Sequence, residues 1–420
     1  MIYPKNDQLI SIILALIIPF LILGPFLPDL ILSISSVFFL FYVFKNKKFY
    51  IFKKKSLMIF FLFSFYIILV TIFRAENKIL SFESSLFYFR IGVFSCLIWY
   101  LIENNKYLLK YFYYSLVVCF SVLVLDGYYQ FFSGTNVLGF PHQAGTRISS
   151  FFGEELIMGS YLSRLFPLLF ALFLIKKKIK YENYFIALLF ILIDVLIYIS
   201  SERAAFFFLN LSTLFIIILI KNYQKFRLIT FLISIILVTL LTVNSEKLSN
   251  RMIKGPIESM GLMNENQNKN IFTPKHDSFI KTAFNMFKDK PIFGHGPKMF
   301  RILCKNEKYQ TGIKPCNTHP HNFYIQLLSE TGIIGFGFLT LSFFYVIFCA
   351  FKQLNSIFFK KKRYLTDYQI CLLAGILITV WPFSPNGNFF NNWLMVVYSL
   401  PIGFYLQSIY SKNKNKNIFN

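Results

Sequence analysis

The sequence predicts an all-α polytopic membrane protein of about twelve transmembrane helices, with one large extramembrane loop that contains short helices. Three observations carry this. First, 56% of the residues are hydrophobic, 20% are aromatic and only 15% are charged. Apolar stretches of roughly 17–25 residues recur along the chain, the length that crosses a hydrocarbon core of about 30 Å. Second, Lys and Arg stand in short blocks between those stretches, where positive charges orient spans by remaining inside. Third, only one long polar segment, from about Asn244 to Pro320, interrupts the pattern.

Taken in order, the spans are expected near Leu9–Leu23, Leu30–Phe44, Leu57–Phe73, Leu86–Ile102 and Phe112–Asp126. The next are near Leu156–Ile175, Tyr184–Ser200, Ala204–Ile220 and Leu228–Val243. The last three are near Ile333–Phe351, Tyr368–Phe383 and Phe390–Ser408. The first stretch has no small-residue cleavage site after it, so it is expected to be a retained span. The chain thus divides into residues 1–243 with nine spans, a loop region 244–331, and residues 332–420 with three spans and a tail.

With the N-terminus inside, the inner segments hold more than half of the Lys and Arg residues. They include Lys45 to Lys55, Lys106 and Lys110, Lys176, Lys177, Lys178 and Lys180, and Lys221, Lys225 and Arg227. Lys352, Lys360 to Arg363, and Lys412, Lys414 and Lys416 complete the set. Both termini are therefore expected on the cytoplasmic side. A formal net charge of +24 could suggest nucleic acid. Its distribution argues instead for orientation signals and contact with lipid head groups, so membrane lipids are expected partners and nucleic acid is not.

Four of the six cysteines, Cys96, Cys119, Cys349 and Cys371, fall inside apolar stretches, where a thiol behaves as a small hydrophobe. Cys304 and Cys316 fall in the long loop, and a disulfide between them is plausible in an oxidising compartment. Their spacing is not a zinc pattern, so no metal is expected. Asp194 lies deep in an apolar stretch, which calls for a structural partner. The 55 phenylalanines suit lipid-facing and packing surfaces.

Chemistry concentrates in Thr318-His319-Pro320-His321-Asn322 and the following residues to Gly335. The pattern predicts a short helix capped by Asn322 and ended by Gly332 in a left-handed conformation, just before the next span. Two histidines are then held at the membrane surface beside a helix N-terminus. That end favours an anion and the neutral, basic form of an imidazole.

His321-Asn322, nine residues, then Gly332-x-x-Gly335 resembles the His-Asn/Ser/Gln-x9-Gly-x-x-Gly signature of the O-antigen ligases, in the O-antigen ligase/polymerase superfamily of membrane glycosyltransferases. Pro291-Ile292-Phe293-Gly294-His295-Gly296 resembles that family's Pro-x-x-Gly-x-Gly turn. Ser201-Glu202-Arg203-Ala204-Ala205 resembles its Ser/Gly-x-Arg-x-Ala element. The resemblance covers most of the chain: the number of spans, the large loop before the last three, and both ends inside. It implies an inner-membrane enzyme working at the periplasmic face. That enzyme would move a glycan from undecaprenyl diphosphate to an acceptor hydroxyl such as one of lipid A-core, with no cofactor and no metal.

Such a transfer needs a base near the hydroxyl and cations for the leaving diphosphate. By its match to the motif, His321 is the expected base, with His319 the second candidate. Arginine pairs bidentately with phosphate oxygens, so Arg203, Arg147 and Arg90 are the expected diphosphate contacts. Where the family often has an arginine before the loop helix, this chain has Lys275-His276-Asp277, so Lys275 or His276 would have to supply that cation. Asn322, Gly332, Gly335, Gly294 and Gly296 are expected to shape the motif. A polymerase joining lipid-linked repeat units is the alternative within the superfamily. A transporter would show two similar six-span halves and midplane charges, and the sequence shows no such repeat.

Overall fold

The computed structural model describes residues 4–143, 147–176, 180–261 and 272–411. Lys177, Lys178, Lys412, Lys414 and Lys416, expected as inner charges, lie outside the described residues. The described chain is helical throughout, with no β-strand and only isolated bridges at Thr135–Pro141 and Gln143–Arg147.

Nine helices among the described residues are long and apolar enough to cross a membrane. Three shorter apolar ones stand where the remaining spans are expected. In chain order they are α1 (Asp7–Leu23), α2 (Phe26–Lys45), α3 (Lys55–Arg74), α4 (Lys78–Asn104), α5 (Leu108–Ser133) and α6 (Met158–Ile175). Then follow α7 (Tyr181–Ile199), α8 (Arg203–Leu219) and α9 (Gln224–Asn244). The loop contributes an amphipathic helix, α10 (Pro274–Asp289), and the bundle closes with α11 (Phe323–Phe358), α12 (Asp367–Thr379) and α13 (Asn392–Tyr410).

Apolar burial drives association weakly in lipid, so close packing and hydrogen bonds set the contacts. Gly403 lets α13 approach α4, because a Cβ there would stand 2.7 Å from the Ile98 Cβ. The Ser95 hydroxyl donates to the Ser399 carbonyl across the same contact at 3.2 Å. Asp194 has its partner: Arg227 donates to both of its carboxylate oxygens, at 2.8 and 3.0 Å, and Ser234 donates at 3.0 Å. Arg227 is fully buried. The expectation that it serves as an inner-surface charge is therefore corrected, since the uncompensated Asp194 draws it into the bundle.

α12 is only 13 residues long and ends at Thr379, not at Phe383 as the apolar stretch predicts. From Val380 to Asn391 the chain runs without helix, apart from turns; this interior segment buries Ser384, Asn386, Asn388 and Phe390 and leaves Phe383 and Asn391 exposed. Unwound backbone survives there only where protein groups or a polar cavity satisfy it. Here they do. Asn322 donates to the Pro382 carbonyl at 2.7 Å, Gln326 donates to Asn388 at 2.8 Å, and the Phe389 N–H donates to Gln326 at 2.9 Å.

The loop builds a small core of its own, with Phe279, Ala283 and Met286 of α10 packed on Met299, Phe300 and Leu303. Cys304 and Cys316 are bridged in it, their Cα atoms 5.1 Å apart. The segment 291–296 then docks on α11 where Gly332 breaks it, with φ +64° and ψ −168°. Positive φ was expected, but ψ is extended, so the break is a kink with helix on both sides. The break frees backbone groups that the docked segment satisfies. The Gly296 N–H donates to the Glu330 carbonyl at 2.7 Å, and the Ile333 N–H donates to the Pro291 carbonyl at 2.9 Å. Side chains would prevent this contact: a Cβ on Gly332 would meet the Ile292 oxygen at 2.2 Å, and one on Gly294 would meet Glu330 and Thr331 backbone at 2.5 Å.

Candidate active site

The turn before α11 carries the two histidines. Asn322 caps the helix, its side-chain oxygen accepting from the N–H groups of Tyr324 (3.0 Å) and Ile325 (3.1 Å). His321 has φ +57°, a conformation that costs a non-glycine residue energy and persists only when its surroundings impose it. They do so from the interior segment, where the Asn386 N–H donates to the His321 carbonyl at 2.8 Å.

The rings of His319 and His321 lie 4.1 Å apart, centroid to centroid, and His276 of α10 stands edge-on to His321 at 5.4 Å. The Nε2 of His321 is 2.9 Å from the Asn317 amide nitrogen, which donates to it. The Nδ1 of His319 is 2.9 Å from the Thr318 hydroxyl, while its buried Nε2 has no partner among the described residues. Burial, with His276 and Lys275 nearby, pushes the His321 imidazole down to about 4. Burial, with His321 and Arg301 nearby, pushes His319 down to about 3. His276 is lowered by burial and by Lys275 and Arg203. All three rings are therefore neutral at pH 7 and can accept a proton.

These rings line a cavity of about 800 Å³, open on one side and walled by the end of α1, the start of α6, the start of α8 and the interior segment. Arg203 and Arg147, both expected there, line it. So do Arg164, Arg251 and Arg301, which the sequence reading did not single out. Glu202 lies on the same wall and accepts from the N–H groups of Gly159 (2.6 Å) and Ser160 (3.1 Å) in the first turn of α6. Burial pushes its carboxyl up to about 7, against the pull of those N–H groups and of Arg147.

Two expected diphosphate contacts lie elsewhere. Arg90 does not line the cavity; it pairs with Asp29 at 2.7 Å, because a charge inside an apolar stretch is stabilised by the nearest carboxylate. Lys275, at the exposed start of α10, is not among the lining residues either, whereas its neighbour His276 is. Among the residues missed, Arg164 had the clearest signal, an arginine two turns inside an apolar helix. Among the described residues no set of three His, Cys, Asp or Glu side chains comes together as a metal site.

The fold and site define a polytopic helical membrane protein with a cation-lined cavity beside a pair of neutral histidines. Residues 185–340 match the family model described as O-antigen ligase. The match runs from α7 into α11 and spans Arg203, the loop and the histidine turn, and it supports the O-antigen ligase superfamily for this chain. A search of curated proteins found no match.

Proposed function

We propose that this chain is a glycosyltransferase of the O-antigen ligase kind, moving a glycan from undecaprenyl diphosphate to an acceptor sugar hydroxyl, as on lipid A-core, at the periplasmic face of the inner membrane. The observation that carries the reading is the juxtaposition of neutral His321 and His319 with Arg203, Arg147 and further arginines around one open cavity. The acceptor oxygen attacks the anomeric carbon, and the bond from that carbon to the diphosphate breaks. The acceptor proton passes to an imidazole, assigned to His321 by its motif, and His319 is the second candidate because its Nε2 has no partner. The lipid diphosphate leaves with its charge spread over the arginines, whose planar forks match phosphate oxygens.

Joining of lipid-linked repeat units by the same chemistry is the second reading, favoured by the open side of the cavity, which suits a second lipid-linked glycan as acceptor. One experiment separates the two. Wild type, H321A and R203Q are placed in a ligase-null and in a polymerase-null host. Polymer-bearing lipopolysaccharide restored by wild type alone in the ligase-null host supports the ligase. Restored chain extension in the polymerase-null host alone supports the polymerase, and activity retained by both variants overturns the site.

A further inference from the structure

Arg164 sits two turns into α6 and is 4% exposed. Its Nη2 donates to the Asn386 side-chain oxygen at 2.8 Å, and its Nε donates to the Ser160 hydroxyl at 3.2 Å. Its Nη1 is buried and has no partner among the described residues. Phe208 and Tyr398 hold the guanidinium, their ring centroids 4.8 and 5.6 Å from its carbon. Asn386, 5% exposed, is likewise half used: its oxygen takes Arg164, while its Nδ2 is buried without a partner. Both side chains belong to the cavity wall.

A guanidinium buried in an apolar bundle is costly unless an anion faces it. Glu202 interacts with Arg164 through charge, but no hydrogen bond or ion pair joins the two side chains among the described residues. Both side-chain hydrogen bonds that Arg164 makes among the described residues are to neutral groups. Two sheltered donors, one cationic, thus belong to hydrogen-bonded neighbours in the cavity wall. Oxygen anions with several lone pairs suit that pair, and the low-dielectric setting strengthens the contact.

We infer that Arg164 and Asn386 form an anion subsite for a phosphoryl group, distinct from the Arg203 contact and tied to the histidine turn through the Asn386 N–H that holds the His321 carbonyl. The inference rests on the transferase reading above and adds a sheltered fork-shaped cation to Arg203 and Arg147 in the cavity wall. The phosphoryl group belongs either to the lipid-linked donor or to a phosphorylated acceptor, and the experiment separates them.

Purified full-length protein in detergent is titrated with geranylgeranyl diphosphate and, separately, with a hexose phosphate, with thermal unfolding followed in parallel. R164Q and R203Q are expected to weaken the lipid diphosphate about tenfold or more each, and R164K to fall between R164Q and wild type, because it keeps the charge and loses the fork. N386D pairs Arg164 with a carboxylate, removes the Nδ2 donor and sets a negative charge beside the anion's place. It is expected to retain or raise thermal stability while losing the ligand, which keeps the test decisive if R164Q does not fold. Loss of hexose phosphate binding alone in R164Q and N386D supports the subsite and gives it to the acceptor. If R203Q loses the lipid diphosphate while R164Q or N386D binds both probes as wild type does, the subsite is overturned and the transferase reading stands. If wild type binds neither probe, both are overturned.

Discussion

At the residue scale, three imidazoles in one corner of the cavity are kept neutral by burial and by one another's proximity, and this sets the acid side of the activity. A catalytic imidazole at its ordinary value would lose activity below about pH 6.5. With His321 held near 4, the acid limb of kcat/KM is expected well below pH 6, and a limb centred at 6.5 would remove His321 and His319 from the base role. Arginines can be sorted in the same assay. R203Q removes a charged hydrogen-bonding group from the cavity, and about 1.5–3 kcal/mol of transition-state stabilisation should go with it, a loss of roughly 10- to 100-fold in kcat/KM. R90Q, in the ion pair with Asp29 outside the cavity, should leave kcat/KM within about threefold of wild type.

At the scale of elements, the decisive contact is between the 291–296 segment and the kink of α11. G332A would force a side chain into a positive φ and against the Ile292 oxygen. A cost of about 1–3 kcal/mol for the strain alone is expected, with added loss from undocking, read as a lower melting temperature and faster proteolysis of the loop. The sequence announced this element well, because a cap at Asn322 and a glycine at 332 are local signals that need no partner to be recognised. The interior segment was not legible in the same way. Trp381, Pro382 and Phe383 read as the continuation of an apolar span, and only side-chain partners far away in the chain, Asn322 donating to the Pro382 carbonyl and Gln326 bonded to Asn388 and to the Phe389 N–H, decide that the backbone leaves the helix. Asn386 was missed for that reason, since its role depends on residues over two hundred positions away in the chain.

At the scale of the whole molecule, apolar stretches located the nine helices long enough to cross a membrane and the three shorter apolar ones, because the length needed to cross lipid is a one-dimensional property. Pairings across the bundle are three-dimensional, which is why Arg227 passed for a surface charge. Its pair with Asp194 joins α7 to α9 without exposure on either side. D194A should destabilise by about 3–5 kcal/mol, while D194L combined with R227M should recover much of that, since removing both charges leaves none unpaired. Thermal unfolding in detergent checks both.

Stability should also respond to acid. Folded His321, His319, His295 and His276 have lowered values, so the unfolded chain takes protons first as pH falls below about 6.5. Their contribution is present above that pH and lost progressively toward about 4. Glu202, raised to about 7, acts in the opposite sense between about 4.5 and 7. Between pH 6.5 and 4 the melting temperature of H319A and H321A should therefore fall less, or rise more, than that of wild type, and identical profiles would contradict the burial of these rings.

The docked segment has a consequence for inheritance. Gly294 and Gly332 are 38 positions apart in the chain, yet the backbone that each leaves bare is the surface on which the other rests. A mutation at either cannot be compensated at the other, because adding bulk to both faces of one contact only deepens the collision. Two short patterns, each too brief to mean much by itself, are thus halves of a single mechanical joint. A lineage can alter the loop residues around it, while the joint itself can only be kept whole or lost.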